Sequence, residues 1–555
     1  MVDQAGDPSG LDHKLVPPQG VATELKKTAR VWLGVAVLLF VLMALKFHHA
    51  DYASYECFTH YYPLIEHVRL GWGETQHPMI PPLLPWVQGL FMRLVGITDM
   101  IHGAQVLNMG LLLPLNLLVL WGLVQRLARS PACRWPVALL GMAFVLLNPL
   151  IIWRSLTTGN ELLYSFCLNT MLLLALRYRE RRDGVSLILL ALLSGLCALI
   201  RAEGIIWSGV LSLAVLGLHR LSALAFRRVA LVWMVVALVW FPRLAFMQQT
   251  TGVPVLDIRA LNLLQRITPK GTISDNAIGP YMNPVVRPRR TALTWTLEQA
   301  VRHKPTQYYA VRWRLETSLR GVMITFGPLA LLYLLLFWPA VRRAVAGAWQ
   351  GRQLLILHGI YVPQFLIVTL TVWFEERYGS TMIVLLALTS GIIFYELVTR
   401  LPKSCKLSAH VCLAGVMVAW LVLVLWKLPS HQQERTVADA LRDRLPPAAV
   451  VMSVLPELPY YLDAAWCPVP DGSRGRVKVT SDQLIEICRE AKVDAIIYGD
   501  FPMYRCPGWW QPDARSRGII QRFSMPLKLP TEFKQPPLVI DARRMLREYR
   551  PVTSK

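Results

Sequence analysis

The sequence predicts a polytopic α-helical membrane protein with a small α/β domain at its C-terminal end. Three observations predict it. The 555 residues are 54% hydrophobic and only 17% charged, too apolar for a water-soluble chain of this length. Apolar runs recur at the length of roughly twenty residues that crosses a hydrocarbon core about 30 Å thick. From residue 428 onward the composition turns polar, and short β-branched runs alternate with a helical pattern.

The apolar runs give about eleven spans, at 30–48, 101–125, 136–153, 160–178, 185–201, 204–219, 229–246, 321–340, 353–373, 380–399 and 409–426. Residues 1–29 read as a mobile cytoplasmic tail rich in Pro, Gly and scattered charge. The first run, "VWLGVAVLLFVLMALKF", has no small-residue cleavage site behind it and reads as a retained helix. Residues 79–97 are apolar but interrupted by Pro81, Pro82 and Pro85. They suit an interfacial or re-entrant piece better than a span.

Basic residues set the orientation. Alternate loops carry Arg126, Arg129 and Arg134; Arg177, Arg179, Arg181 and Arg182; Arg220, Arg227 and Arg228; Arg342, Arg343 and Arg352; Arg400, Lys403 and Lys406. Cytoplasmic loops collect Lys and Arg, so these five loops and the N-terminus are cytoplasmic. An odd span count then places the C-terminus outside. On the external face lie the stretch 49–100, a loop 247–320, and the domain 428–555. In that domain "AAVVMSVL" and "DAIIYGDF" read as buried strands, and "SDQLIEICREAKV" as a helix capped by Ser481 or Asp482. Strand, helix, strand in succession predicts a small, largely parallel sheet.

The net charge of +23 follows in part from the cytoplasmic arginines, so it does not point to nucleic acid. The external loop adds Arg287, Arg289, Arg290, Arg302, Lys304, Arg312 and Arg314. Arginine forks match phosphate, which suits an anionic lipid or a lipid-linked phosphate. The nine cysteines form no zinc spacing. A disulfide between Cys467 and Cys506 is open if the domain faces an oxidising compartment.

Ionisable residues gather at the external ends of the spans. Directly after the first span, "KFHHADYASYECFTHYYPLIEHVRLGWGETQHPMIPPLLPW" combines acids, five histidines and aromatics with a closing run of prolines. Asp51 sits where a carboxylate reaches both a headgroup and water. "RSLTTGNELLY" places Arg154, Asn160 and Glu161 at one turn, "LIRAEGIIW" places Arg201 and Glu203 at a second, and "WFEERYGS" places Glu376, Arg377 and Tyr378 at a third. Charges near a membrane are costly. Each alone is compatible with snorkelling at an interface, but all three turns open on the face that carries Asp51.

In this order, Asp51 with Tyr55 four residues on, Pro-Pro-Leu at 81–83, "TTGNELL", "RAEG" at 201–204 and "ERYGSTMIVLLAL" from Glu376 resemble the GT-C class of membrane glycosyltransferases. The resemblance is to the group of protein O-mannosyltransferases and bacterial lipid A aminoarabinose transferases, and covers about residues 30 to 400. It implies transfer of a sugar from a polyprenyl-phosphate carrier to an acceptor hydroxyl or phosphate on a protein, lipid or glycan, with inversion. It implies Asp51 as general base, with Arg201, Arg377 and His77 facing the carrier phosphate. Tyr55, Glu56, Asn160, Glu161, Glu203, Glu376 and Tyr378 complete the implied binding set. The chain departs from the pattern at Asn160, where relatives have an acid, at Ile80 before Pro-Pro-Leu, and at Ala202 in place of Pro. The phosphate ligands and any divalent cation, for which Glu56, Glu203 and Glu376 are candidates, stay open.

A bacterial inner membrane with the site on the periplasmic face suits the short loops and the polar domain. The alternative reading is a transporter or flippase for an anionic lipid or lipid-linked sugar, which requires polar groups deep in the membrane and on both faces. A non-catalytic scaffold is the third.

Overall fold

The computed structural model describes residues 19–47, 61–71, 76, 80–201, 204–219, 222–252, 254, 256, 325, 327–349, 380–425, 432–446, 449–453, 458–459, 462, 464–468, 480–498, 514–527 and 538–548. It divides into two compact units, built mainly from Leu64–Lys427 and from Leu428–Lys555.

The first unit is helical. Helix α1 spans Gln19–Phe47, so it starts well inside the stretch expected to be a mobile tail. It buries Leu25, Ala29, Trp32, Ala36 and Phe40 and exposes Val31, Leu38 and Leu45. Steps of three and four put the buried set on one stripe, and the exposed apolar stripe faces lipid. After α2 (Tyr62–Leu70) and α3 (Leu83–Val95), α4 (Met100–Leu107), a π-turn at Asn108–Leu112 and α5 (Leu113–Leu127) form one continuous rod.

The run expected at 136–153 is not straight. Helices α6 (Pro131–Leu146) and α7 (Pro149–Leu156) meet at a 61° bend. Asn148 causes it: its side chain accepts from the Leu150 N–H at 2.9 Å, and Pro149 fits only the first turn of a new helix. Next come α8 (Glu161–Arg181), α9 (Gly184–Ile200), α10 (Ile205–Leu218) and α11 (Ala223–Thr251). The run expected at 321–340 also breaks. Helix α12 (Leu329–Leu334), with a 3-10 turn to Phe337, is bent by 98° from α13 (Pro339–Ala348). Trp338 precedes Pro339 and is extended at ψ 115, because the proline ring disfavours helical backbone before it. Helices α14 (Ile383–Arg400) and α15 (Lys403–Leu425) follow.

Among the described residues, five helices are long and apolar enough to cross a membrane, or seven if each bent pair is one span. The expected span 353–373 lies outside the described residues. Helix α14 is buried along most of its length. A Cβ on Gly391 would stand 3.2 Å from the Gly141 nitrogen, so α6 and α14 meet backbone to backbone, as small residues permit in membrane bundles.

A chain of contacts collects the arginine-rich loops at one pole of the bundle. Arg126 pairs with Glu180. Arg228 donates to Tyr178 Oη at 2.8 Å and to the Arg182 carbonyl at 3.4 Å. Ala128 bridges to Trp349, whose indole N–H donates to Glu396 at 3.2 Å, and Glu396 pairs with Arg400 at 2.6 Å.

The second unit is a five-stranded mixed sheet in the order β2-β1-β3-β5-β4. Strands β1 (Val450–Ser453), β2 (Ala465–Pro468) and β3 (Ala495–Tyr498) are parallel, while β5 (Leu538–Asp541) runs antiparallel to β3 and to β4 (Ser524–Met525). Helix α16 (Gln432–Arg442) contributes Val437, Ala438 and Leu441 to one core cluster. Helices α17 (Ser481–Glu490), α18 (Ala514–Phe523) and α19 (Ala542–Glu548) contribute Leu484, Cys488, Ile519, Phe523 and Met545 to the other. The cap of α17 is Thr480, not Ser481 or Asp482. Thr480 and Gln483 form a reciprocal capping box, which satisfies two otherwise orphaned N–H groups. The Cys506 end of the disulfide considered above lies outside the described residues.

Candidate functional site

The described part of the site lies at the opposite pole, reached through α8. Its 21 residues cover about 30 Å, from Tyr178 among the arginines to Glu161 at the other end. Helix α7 ends at Leu156, residues 157–160 form the turn, and α8 begins at Glu161.

Arg154, on the last turn of α7, approaches Glu161 Oε1 at 3.6 Å, with side chains 13% and 6% exposed. The Arg154 guanidinium also lies over the Trp153 ring at 4.4 Å. Opposite charges this far out of water attract each other strongly, which offsets part of the hydration each has lost. Gly159 makes room for them: a Cβ there would stand 2.2 Å from Glu161 Oε2.

Asn160 ties this turn to the next one. Its Nδ2 donates to the Ile200 carbonyl at 3.1 Å, the last of α9. Arg201 follows in extended conformation and is buried, with its guanidinium 5.8 Å from the Tyr164 ring. The Tyr164 hydroxyl accepts from Trp207 Nε1 at 2.8 Å. The turn closes through the Gly204 N–H, which donates to the Arg201 carbonyl at 2.8 Å. A Cβ on Gly204 would stand 2.2 Å from the Cys197 carbonyl carbon, so the turn packs directly on the α9 backbone. Of the residues singled out from the sequence, Asn160, Glu161 and Arg201 are thus brought together, with Arg154. Asp51, Tyr55, Glu56, His77, Glu203, Glu376, Arg377 and Tyr378 lie outside the described residues.

Sequence reasoning passed over three amides. Gln105, Asn108 and Asn116 are buried along the Met100–Leu127 rod and all donate to the segment 154–162. Gln105 Nε2 reaches the Leu156 carbonyl at 3.4 Å. Asn108 Nδ2 reaches the carbonyls of Arg154 at 3.2 Å and Thr157 at 2.8 Å. Asn116 Nδ2 reaches that of Leu162 at 3.1 Å. The end of α7 leaves carbonyls without helical partners, and within a membrane such groups must be satisfied by protein. The available signal was Gln105, Asn108 and Asn116 interrupting a largely apolar run.

The helical unit and its turns can be set beside solved structures. ArnT from Cupriavidus metallidurans bound to undecaprenyl phosphate superposes with a TM-score of 0.52 at 14% identity, over 92% of this chain and 97% of that one. The chain has the GT-C fold. The apo state of the same ArnT gives 0.50 at 15% identity, over 92% and 98%. An oligosaccharyltransferase from Archaeoglobus fulgidus in complex with Zn and sulfate gives 0.52 at 12% identity, over 84% and 67%. No protein-family model and no curated protein matches the sequence.

Among the described residues no three His, Cys, Asp or Glu side chains group as metal ligands. Glu161 is already engaged by Arg154. What the described pole offers is cation: Arg154, part-buried against Glu161 and the Trp153 ring, and Arg201, buried near the Tyr164 ring.

Proposed function

We propose that the chain is a membrane glycosyltransferase that moves a sugar from a polyprenyl-phosphate carrier to an acceptor hydroxyl or phosphate on the extracytoplasmic face. The observation that carries this reading is the set of part-buried Arg154 with buried Glu161 and Arg201 at the pole remote from the arginine-rich loops. The fold shared with ArnT bound to undecaprenyl phosphate supports it. By the positive-inside rule the arginine-rich pole is cytoplasmic, which puts the site, the N-terminus and the C-terminal domain outside, inside and outside in turn.

Asp51 takes the proton from the acceptor hydroxyl. The acceptor oxygen then attacks the anomeric carbon, the bond from that carbon to the phosphate oxygen breaks, and configuration inverts. The leaving group is a lipid phosphate, a stable anion that needs no strong acid. It needs positive charge where charge develops, and Arg201, Arg377 and His77 provide it. Glu161 orients Arg154 through their ion pair. Tyr55, Glu56, Asn160, Glu203, Glu376 and Tyr378 complete the proposed substrate-binding set. Glu56, Glu203 and Glu376 are also the candidate ligands should a divalent cation take part.

The test is turnover of sugar-loaded polyprenyl phosphate by purified protein. Asp51→Asn is expected to lower turnover by about 10²–10⁴, the worth of a positioned general base, while the folded variant still binds carrier. Full activity in Asp51→Asn sinks the assignment of the base.

A further inference from the structure

The three buried amides of the Met100–Leu127 rod, Gln105, Asn108 and Asn116, are not used alike. Asn116 is saturated: its Nδ2 donates to the Leu112 and Leu162 carbonyls, and its Oδ1 accepts from Ser165 Oγ at 3.0 Å. Asn108 opens the π-turn, a helical irregularity that recurs at functional sites. Both of its donor bonds go to carbonyls, which only accept, so the amide cannot be flipped. Its Oδ1 is therefore fixed in place, and it is buried with no hydrogen-bond partner. Thr157 Oγ1, on a residue whose carbonyl Asn108 holds at 2.8 Å, is in the same condition, and so is Arg154 Nε. Asn108 is 2% and Thr157 5% exposed.

Burying a polar atom without a partner costs stability. Here two such oxygens belong to residues joined by one hydrogen bond, Asn108 on the rod and Thr157 on the turn between the helices that carry Arg154 and Glu161. Their chemistry selects a ligand. An amide oxygen only accepts, so it repels a phosphate oxygen and welcomes a proton donor. A threonine hydroxyl both gives and accepts. Together they fit a hydroxyl or amino group, while the neighbouring arginines fit the phosphate to which a donor sugar is bonded.

We propose that Asn108 Oδ1 and Thr157 Oγ1 form a subsite that binds a hydroxyl or amino group of the carrier-linked sugar. This rests on the glycosyltransferase reading. Thr157→Val tests it, because valine keeps the shape and removes only the hydroxyl. Thr157→Ser restores the hydroxyl and serves as the rescue. Binding is measured for undecaprenyl phosphate alone and for undecaprenyl phosphate carrying glucose, mannose or an aminopentose, together with the melting temperature. For the sugar that wild type binds best, Thr157→Val is expected to weaken binding about three- to ten-fold, the worth of one net hydrogen bond. Bare undecaprenyl phosphate should bind unchanged, the melting temperature should not fall, and Thr157→Ser should resemble wild type. Unchanged binding of the loaded carrier means that the oxygens hold water only and overturns the subsite. Equal weakening for bare and loaded carrier overturns its assignment to the sugar. Wild type that binds neither carrier removes the glycosyltransferase reading and this subsite together.

Discussion

Arg154 and Glu161 form a largely buried ion pair. Removing one leaves the other charge buried, which costs about 3–5 kcal/mol. Glu161→Gln and Arg154→Gln should therefore each lower the melting temperature, and the double variant should lose clearly less than their sum. Effects that simply add would show that the two side chains do not communicate. Arg154, Asn160, Glu161 and Arg201 were legible in the sequence, because polar and charged residues interrupt apolar runs there. Asn108 was not. Its role is set by carbonyls 46 and 49 positions away, and no local pattern records such a partnership. The cap of α17 was misread by one or two positions because Thr480, Ser481 and Asp482 are all capable caps. Gln483 decides, since only from Thr480 does it complete the box.

At the scale of elements, turns rather than spans position the site. The turn 201–204 holds Arg201 against Tyr164, and Gly204 allows it to lie on the α9 backbone. Gly204→Ala forces methyl against backbone, which cannot swing aside as a side chain can. The expected cost is about 1–3 kcal/mol, read as a lowered melting temperature, with loss of turnover as Arg201 shifts. A variant as stable and active as wild type would show that the turn has freedom the packing does not suggest. The apolar runs made most helices legible. The breaks at Asn148 and Trp338 were not expected, because hydropathy is blind to them. The signals were present as Asn-Pro and Trp-Pro, each of which ends one helix and starts another.

For the molecule as a whole, charge has the clearest consequence. The five basic loops grouped from the sequence contain residues that the structure joins at one pole through Arg126–Glu180, Arg228–Tyr178, Ala128–Trp349 and Glu396–Arg400. Cys405, exposed between Lys403 and Lys406, marks that pole. In a variant that keeps Cys405 and replaces the other cysteines with serine, a membrane-impermeant maleimide should label inside-out vesicles and spare right-side-out ones. The reverse pattern would invert the proposed orientation. The central claim concerns chemistry, and one measurement tests it most directly. Purified wild-type protein in liposomes is given undecaprenyl phosphate carrying a labelled sugar, with a membrane extract as the source of acceptor. The account predicts that label leaves the carrier, appears on an acceptor, and releases undecaprenyl phosphate in equal amount. Carrier that is bound, or moved across the bilayer, with its sugar still attached would contradict it.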